Sequence, residues 1–171
     1  MYLSQNPLGS WTIGDTSSGL TVDKSPRVRY SLRVMPDKFA PEVRSRIMAA
    51  IKSKNTGIER LVFAHLRREK LHFQRHYKRV VGKPDVAVPS RRLAVFIDGD
   101  FWHGYHYPLW RHKLPSAFWH EKIERNRARD RRNFAKLRRQ GWRVLRIWEH
   151  DLVKRPDEAL ARVAAFLRDG R

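Results

Sequence analysis

The chain of 171 residues has no cysteine, which excludes disulfides, a thiol nucleophile and any cysteine-ligated zinc or iron–sulfur site. Acid is scarce: 17 Asp and Glu stand against 37 Lys and Arg, a formal net charge of +20 with His neutral. That balance argues against acidic small molecules as main substrates and for a polyanion, most often nucleic acid. Long apolar runs are missing too. None approaches the roughly 20 residues that a membrane-spanning helix needs, so no membrane partner is expected. No basic-then-apolar leader opens the sequence, and the expected location is the cytoplasm. What is present is a hydrophobic fraction of 41%, enough for a core and incompatible with wholesale disorder. The length suits one compact domain and a tail rather than two domains.

Residues 1–35 read as a flexible or weakly structured extension. Gly14-Asp15-Thr16-Ser17-Ser18-Gly19 is turn-rich and without periodicity. Met35-Pro36 then opens the expected domain, 36–171, with Met35 a candidate start. From Pro41, Val43, Ile47, Met48 and Ile51 recur at spacings of four, one and three, the apolar face of a helix. Thr56-x-x-Glu59 is a capping box that opens a second helix, continuing through Leu61, Val62 and Leu66 to about Lys70. Alternation over 72–77 predicts a strand. Runs at 85–88 and 93–97, parted by Pro89-Ser90-Arg91, predict a hairpin. Residues 99–115, dense in aromatics and histidines, predict a loop with no regular element. A long basic helix over 116–140 ends at Gly141, a C′ glycine. A strand over 143–148 follows, and Pro156 starts a last helix. The order helix, helix, strands, helix, strand, helix predicts an α/β domain with a small central mixed sheet.

Three acids stand out in a chain short of acid. Asp85 begins one hairpin strand, and Asp98-Gly99-Asp100 ends the other, which brings Asp85 and Asp98 towards one sheet edge. Paired carboxylates there suit Mg²⁺, which steadies a phosphodiester in transit. An Asp before Gly also serves as a plain turn residue. Glu59 is explained by its cap, yet a helix N-terminus favours a carboxylate that also reaches a site. His103, five residues after Asp98, has the chemistry of a general base or acid near neutral pH; a structural hydrogen bond is its other reading. Phe101, Trp102, Tyr105, Tyr107 and Trp110 crowd one loop, and Phe118-Trp119 opens the next helix. Such rings pack a core, or stack on bases and wedge between base steps. The helix carrying Lys122, Arg125, Arg127, Arg129, Arg131, Arg132, Lys136, Arg138 and Arg139 has few acids to pair with, chiefly Glu121, Glu124 and Asp130. It reads as a phosphate-contacting helix.

Six blocks, in order and spacing, carry a resemblance over about 44–168. They are Ser45-Arg-Ile-Met-Ala-Ala-Ile51, Thr56-Gly-Ile-Glu59, Gly82-Lys-Pro-Asp85, Val95-Phe-Ile-Asp-Gly-Asp-Phe-Trp-His103, Phe118-Trp-His-Glu-Lys-Ile123 with Asn126 and Arg129-Asp130, and Gly141-Trp-Arg-Val-Leu-Arg-Ile-Trp-Glu149. Together they resemble the very short patch repair (Vsr) DNA mismatch endonucleases. The resemblance implies a restriction-endonuclease-like fold of the PD-(D/E)XK type. It also implies a nick 5′ of the thymine in a T:G mismatch, the product of 5-methylcytosine deamination. By position, Asp85 corresponds to the metal-binding aspartate, and Ile97 to the residue whose main-chain carbonyl meets Mg²⁺. His103 corresponds to the catalytic histidine that works on a metal-bound water, and Glu59 to the helix glutamate that supports it. Asp98 stands where members carry His or Asp and is a further candidate for catalysis or metal. Phe101, Trp102 and Trp119 match an aromatic wedge beside the mismatch. Met48 matches a residue inserted from the opposite groove. Lys122, Arg125, Asn126 and Arg129 are the expected DNA-binding positions.

One departure stands against that pattern. The family holds a structural zinc with cysteines and a histidine, whereas the matching positions here are Asp100, Tyr105 or His106, Tyr107 and His150. Asp100, His106 and His150 make at most an incomplete site, since Tyr is a poor zinc ligand. No tight zinc is expected, with aromatic packing and an Asp100–His150 contact bracing the loop. The expected substrate is double-stranded DNA with a T:G mismatch, the cofactor Mg²⁺, the state a monomer near the nucleoid, and mismatch-repair proteins are implied partners. Two other readings stay open: a restriction or defence nuclease of the same fold with different DNA specificity, and an inactive DNA-binding module.

Overall fold

The computed structural model describes residues 2–5, 11–14, 54–114 and 116–169. The helix expected from Pro41, with Met48, lies outside these residues, as does Met35. Strands β1 (Tyr2–Gln5) and β2 (Trp11–Gly14) pair antiparallel as a two-stranded ladder. The rest builds on a four-stranded sheet of β3 (Gln74–Arg75), β4 (Val86–Val88), β5 (Leu93–Asp98) and β6 (Arg143–Trp148), in that spatial order. The β3–β4 and β4–β5 pairs are antiparallel, and β5–β6 is parallel. This small mixed sheet with flanking helices fits the restriction-endonuclease-like arrangement.

β5 reads as a continuous run because all six of its residues are buried, as a strand covered on both faces requires. Alternation then divides its side chains. Leu93, Val95 and Ile97 join Val62, Phe63 and Leu66 of α1 (Gly57–Arg68) and Leu160, Val163 and Leu167 of α5 (Pro156–Asp169) in the main core. Ala94 and Phe96 face the other way, towards Leu137 and Phe134 of α3 (Ala117–Arg139). Asp98 has the same parity as Ala94 and Phe96 and shares their face. The sheet thus sends the Asp98 carboxylate to the face that Ala94 and Phe96 line, under α3.

Helix α1 starts where its capping box places it. Thr56 is the N-cap, its hydroxyl accepting from the Glu59 N–H at 3.3 Å and donating to Glu59 Oε1 at 2.9 Å. Glu59 Oε2 accepts from the Asn55 N–H at 2.8 Å. Replacing Thr56 by Ala removes this reciprocal cap and is expected to cost about 1 kcal/mol in chemical denaturation. The 23-residue α3 spans roughly 35 Å at 1.5 Å per residue. Its buried residues are Ile123, Asp130 and Leu137, seven apart, so it touches the domain along a narrow seam. Gly141 ends it with φ +79°.

Three expectations needed correction. The strand over 72–77 shrinks to Gln74–Arg75, because Phe73 packs onto the core instead of continuing a ladder. The loop over 99–115 holds a short helix, α2 (Tyr107–Trp110), with Pro108 in its first turn. A six-residue helix, α4 (Glu149–Lys154), follows β6 directly and was not anticipated. The hairpin, the long basic helix, the β6 strand and the last helix lie where expected. No helix among the described residues is long and apolar enough to cross a membrane.

Candidate active site

The site forms where β4 begins and β5 ends. The β4–β5 register pairs Val86 with Val95, so its continuation sets Pro84 opposite Ile97. A proline has no N–H. The ladder therefore offers the Ile97 carbonyl no donor there, and the Ile97 N–H is taken by Asp85 Oδ2 at 2.8 Å. In an extended strand the N–H and C=O of one residue point to the same side. The Asp85 carboxylate and the Ile97 carbonyl consequently share one edge, two hard oxygens side by side.

Around them lies a cleft of about 420 Å³. Its acids are Glu59, Asp85, Asp98 and Asp130, and its cations are Lys54, Lys78, Lys83 and Arg129. The acids fall into two groups, each with ligand atoms within 4.8 Å of one another. Glu59, Asp85 and His76 make the first. His76 Nε2 is 3.5 Å from Glu59 Oε2, and its Nδ1 is 3.8 Å from Asp85 Oδ1. Glu59 thus caps its helix and faces the site at once. His76 of this group, with Asn55 and Lys83 beside it, holds left-handed backbone, at φ 48°, 53° and 50° respectively. Such strain gathers at functional sites.

Burial lifts the Asp85 carboxyl from its ordinary 3.8 to about 7. The nearby charges of Glu59 and Asp98 add to the lift, while the Ile97 N–H and His103 oppose it. A carboxylate destabilised in this way binds a hard cation readily, because the cation supplies the charge compensation that water cannot. The donor set fits a divalent ion: carboxylates, a carbonyl and one imidazole.

Asp98, His103 and Asp130 form the second group, joined by Arg146 from β6. His103 Nδ1 lies 2.6 Å from Asp130 Oδ2, and its Nε2 lies 3.3 Å from Asp98 Oδ1. Burial pulls Asp130 upward, but the His103 hydrogen bond and the charges of His103, Arg146 and Arg129 outweigh it, and its carboxyl ends below the usual range. An ionised carboxylate only accepts. The bonded Nδ1 therefore carries its proton, and Nε2 is the nitrogen that faces Asp98 Oδ1. Burial raises the Asp98 carboxyl against the pull of His103 and Arg146. Arg146 Nε stands 2.7 Å from Asp98 Oδ2, close in charge but without hydrogen-bond alignment.

The sequence placed Asp85 and Asp98 as one metal pair. In the structure they feel each other's charge, yet their nearest partners differ. His76, Asp130 and Arg146 were not anticipated as site residues. One signal was readable for Asp130, a carboxylate at the middle of a seam otherwise apolar at seven-residue intervals.

The expected wedge residues do meet. Phe101 lies 5.0 Å from Trp102 and 5.9 Å from Trp119, ring centre to ring centre, and Trp102 is 5.8 Å from Trp119. Beside them Leu109 is 71% exposed and Phe118 37%. The aromatic loop is tied to α3 by Asn126, whose amide donates to the Trp102 carbonyl at 2.9 Å. Gly104 allows the close approach: at φ +65°, a Cβ there would meet Arg127 Cδ at 2.6 Å. Of the expected DNA-binding positions, Arg129 lines the cleft. Lys122 and Arg125 lie further back along α3, Arg125 4.0 Å from Glu121. At the other end of the loop His150 Nδ1 meets Asp100 Oδ1 at 2.8 Å. The Tyr105 ring sits 4.2 Å from both the His150 and His106 rings, so the expected brace is present.

Comparison with known proteins agrees with this chemistry. A family model for the DNA mismatch endonuclease Vsr matches residues 36–109. The chain is 41% identical over 121 residues to the Type II nicking enzyme V.XorIIP of Xanthomonas oryzae pv. oryzae, covering 69% of this chain and 88% of that one. It is 39% identical over 132 residues to the DNA mismatch endonuclease Vsr of Escherichia coli (strain K12), covering 74% and 83%. Among solved structures, the catalytic domain of the homing endonuclease I-Bth0305I is similar with a TM-score of 0.46 and 20% identity, over 66% of this chain and 95% of that one. With both curated relatives matched over more than four-fifths of their length, the chain belongs to the Vsr family of DNA mismatch endonucleases and is a DNA-nicking endonuclease.

Proposed function

We propose that this endonuclease nicks one strand of duplex DNA 5′ of the thymine in a T:G mismatch, with Mg²⁺ as its cofactor. The observation that carries the reading is the opening of two devices into one cleft, the Asp85–Ile97 oxygen edge and an imidazole whose tautomer Asp130 sets. Asp85 and the Ile97 carbonyl would hold the ion, with Glu59 and His76 beside them. Bound there, Mg²⁺ supplies positive charge that stabilises the phosphate in its transition state. His103 Nε2 takes the proton of the attacking water as its oxygen bonds to phosphorus and the bond to the leaving oxygen breaks. Lys54, Lys78, Lys83 and Arg129 hold the flanking phosphates by charge. One cleft serves one nick, and a monomer suffices.

Phe101, Trp102 and Trp119 act as the wedge. Inserting rings between base steps costs unstacking, and that cost is least at a mispair. The cluster therefore favours mismatched over paired DNA. Trp102→Ala is expected to lower the ratio of nicking rates on T:G and T:A duplexes roughly tenfold, given about 1–3 kcal/mol per stacked ring. Mapping the nick tests the reading. An end-labelled T:G duplex should be cut 5′ of the mispaired thymine in Mg²⁺ and stay whole in EDTA; cleavage elsewhere, or cleavage in EDTA, refutes it.

A further inference from the structure

The aromatic loop and the first turn of α3 close on each other through a circuit of contacts. Trp110 of α2 stacks on Phe101 at 5.7 Å and 22°. Phe101 meets the edge of Trp119 at 5.9 Å. His120 follows Trp119 on α3, and its Nδ1 lies 2.8 Å from the Tyr107 hydroxyl. Tyr107 returns the circuit to Trp110, 5.2 Å away at 88°. Ring contacts tolerate a range of offsets and tilts. A hydrogen bond is stricter in distance and angle, and in this circuit the Tyr107–His120 bond supplies that constraint. Its surroundings are tight: Tyr107 is 2% exposed, and the Arg127 guanidinium lies 4.9 Å over its ring. Glu124 holds Arg127 in turn at 3.0 Å. The phosphate chemistry uses neither member of the pair, since neither lines the cleft.

We propose that the Tyr107–His120 pair sets the position of the wedge: it fixes α2 against the start of α3 and so holds Phe101 and Trp119, with Trp102 against both, in the arrangement that enters a base step. This rests on the reading of those three rings as a wedge. Tyr107 and His120 are positioning residues, acting on DNA through the rings. A wedge free to shift loses part of its advantage at a mispair, so the pair contributes to discrimination rather than to cleavage itself.

The test reads wedge insertion directly. A 2-aminopurine beside the T:G pair brightens when it is unstacked, and the full chain is titrated onto this duplex in EDTA. Wild type should raise the fluorescence, and Trp102→Ala should not. Tyr107→Phe and His120→Leu should each cut the rise by about half or more, and lower the T:G over T:A nicking ratio in Mg²⁺ roughly fivefold, the size of one lost hydrogen bond. The double variant should lose no more than either single change, because both remove the same bond. His120→Asn, whose amide stands where Nδ1 does, should restore signal and ratio. Gel-shift affinity for the T:A duplex should stay within about twofold throughout, since it comes from cations facing phosphates, and circular dichroism verifies that each variant is folded. Losses that add in the double variant, or that His120→Asn shares, overturn the proposal. If Trp102→Ala brightens the duplex as wild type does, the wedge reading fails. If it does not, while folded Tyr107→Phe and His120→Leu chains keep the wild-type rise and ratio, the wedge stands and this proposal alone fails.

Discussion

Asp85→Asn is expected to abolish nicking, with a loss of about a thousandfold or more, while duplex binding stays within about twofold of wild type. The rate falls because the oxygen edge shared with Ile97 loses its charge, and an ion worth several kcal/mol of transition-state stabilisation is no longer held. Binding survives because affinity for DNA comes from cations facing phosphates, and an acid at the floor of the cleft contributes nothing to it. Single-turnover cleavage and a gel-shift titration at one stated salt concentration measure the two halves.

The same residue sets a pH dependence. In the unfolded chain the Asp85 proton leaves near 3.8; in the folded chain burial delays it to about 7. Between these values the folded state keeps a proton that the unfolded state has lost. Stability without metal is therefore full below about pH 4 and falls as the pH rises to about 7, by about 4 kcal/mol at most from this group. Asn at this position removes that slope, and denaturation across the pH range with chelator present checks it. Divalent-ion affinity runs the opposite way, rising through the same window as the proton is displaced.

His103→Ala should lower the single-turnover rate by about 10²- to 10⁴-fold, the range for losing a positioned proton acceptor. Asp130→Asn should approach the same loss although it leaves the imidazole in place. With the carboxylate at 2.6 Å, Nδ1 keeps the proton and leaves the acceptor lone pair on Nε2, the nitrogen beside Asp98; an amide in its place presents a donor as readily as an acceptor. The ring can then settle in the wrong tautomer. Neither change touches the Asp85–Ile97 edge, so Mn²⁺ affinity at that edge should hold in both variants. A rate for Asp130→Asn near wild type would remove the imidazole's orientation from the account.

Local chemistry was legible where a residue's role depends on near neighbours in sequence. The Thr56–Glu59 cap, the β4–β5 hairpin and the Gly141 stop are all short-range devices, and each lies where its residues predict. What failed was decided by contacts distant in sequence. Phe73 reads as strand alternation until the core claims it. Glu149–Lys154 is too short to show a helical period, and it forms because Asp151 and Leu152 turn inward after β6. In the site, Asp85, Glu59, Asp98 and His103 were visible as acids and a histidine near strand and helix ends. Arg146 was not, since an arginine in a basic chain carries no mark. Only the β5–β6 register brings it to Asp98, 48 residues away in sequence. His76 was hidden for the same reason, within an alternating stretch that the structure turns towards Asp85.

The most direct test of the central claim is the ratio of single-turnover nicking rates on two duplexes that differ only in one T:G or T:A pair, at fixed Mg²⁺ and salt. A wedge that exploits weakened stacking predicts cleavage of the T:G duplex at least a hundredfold faster. Equal rates on both would leave the nuclease and its cleft standing and contradict mismatch repair as its function.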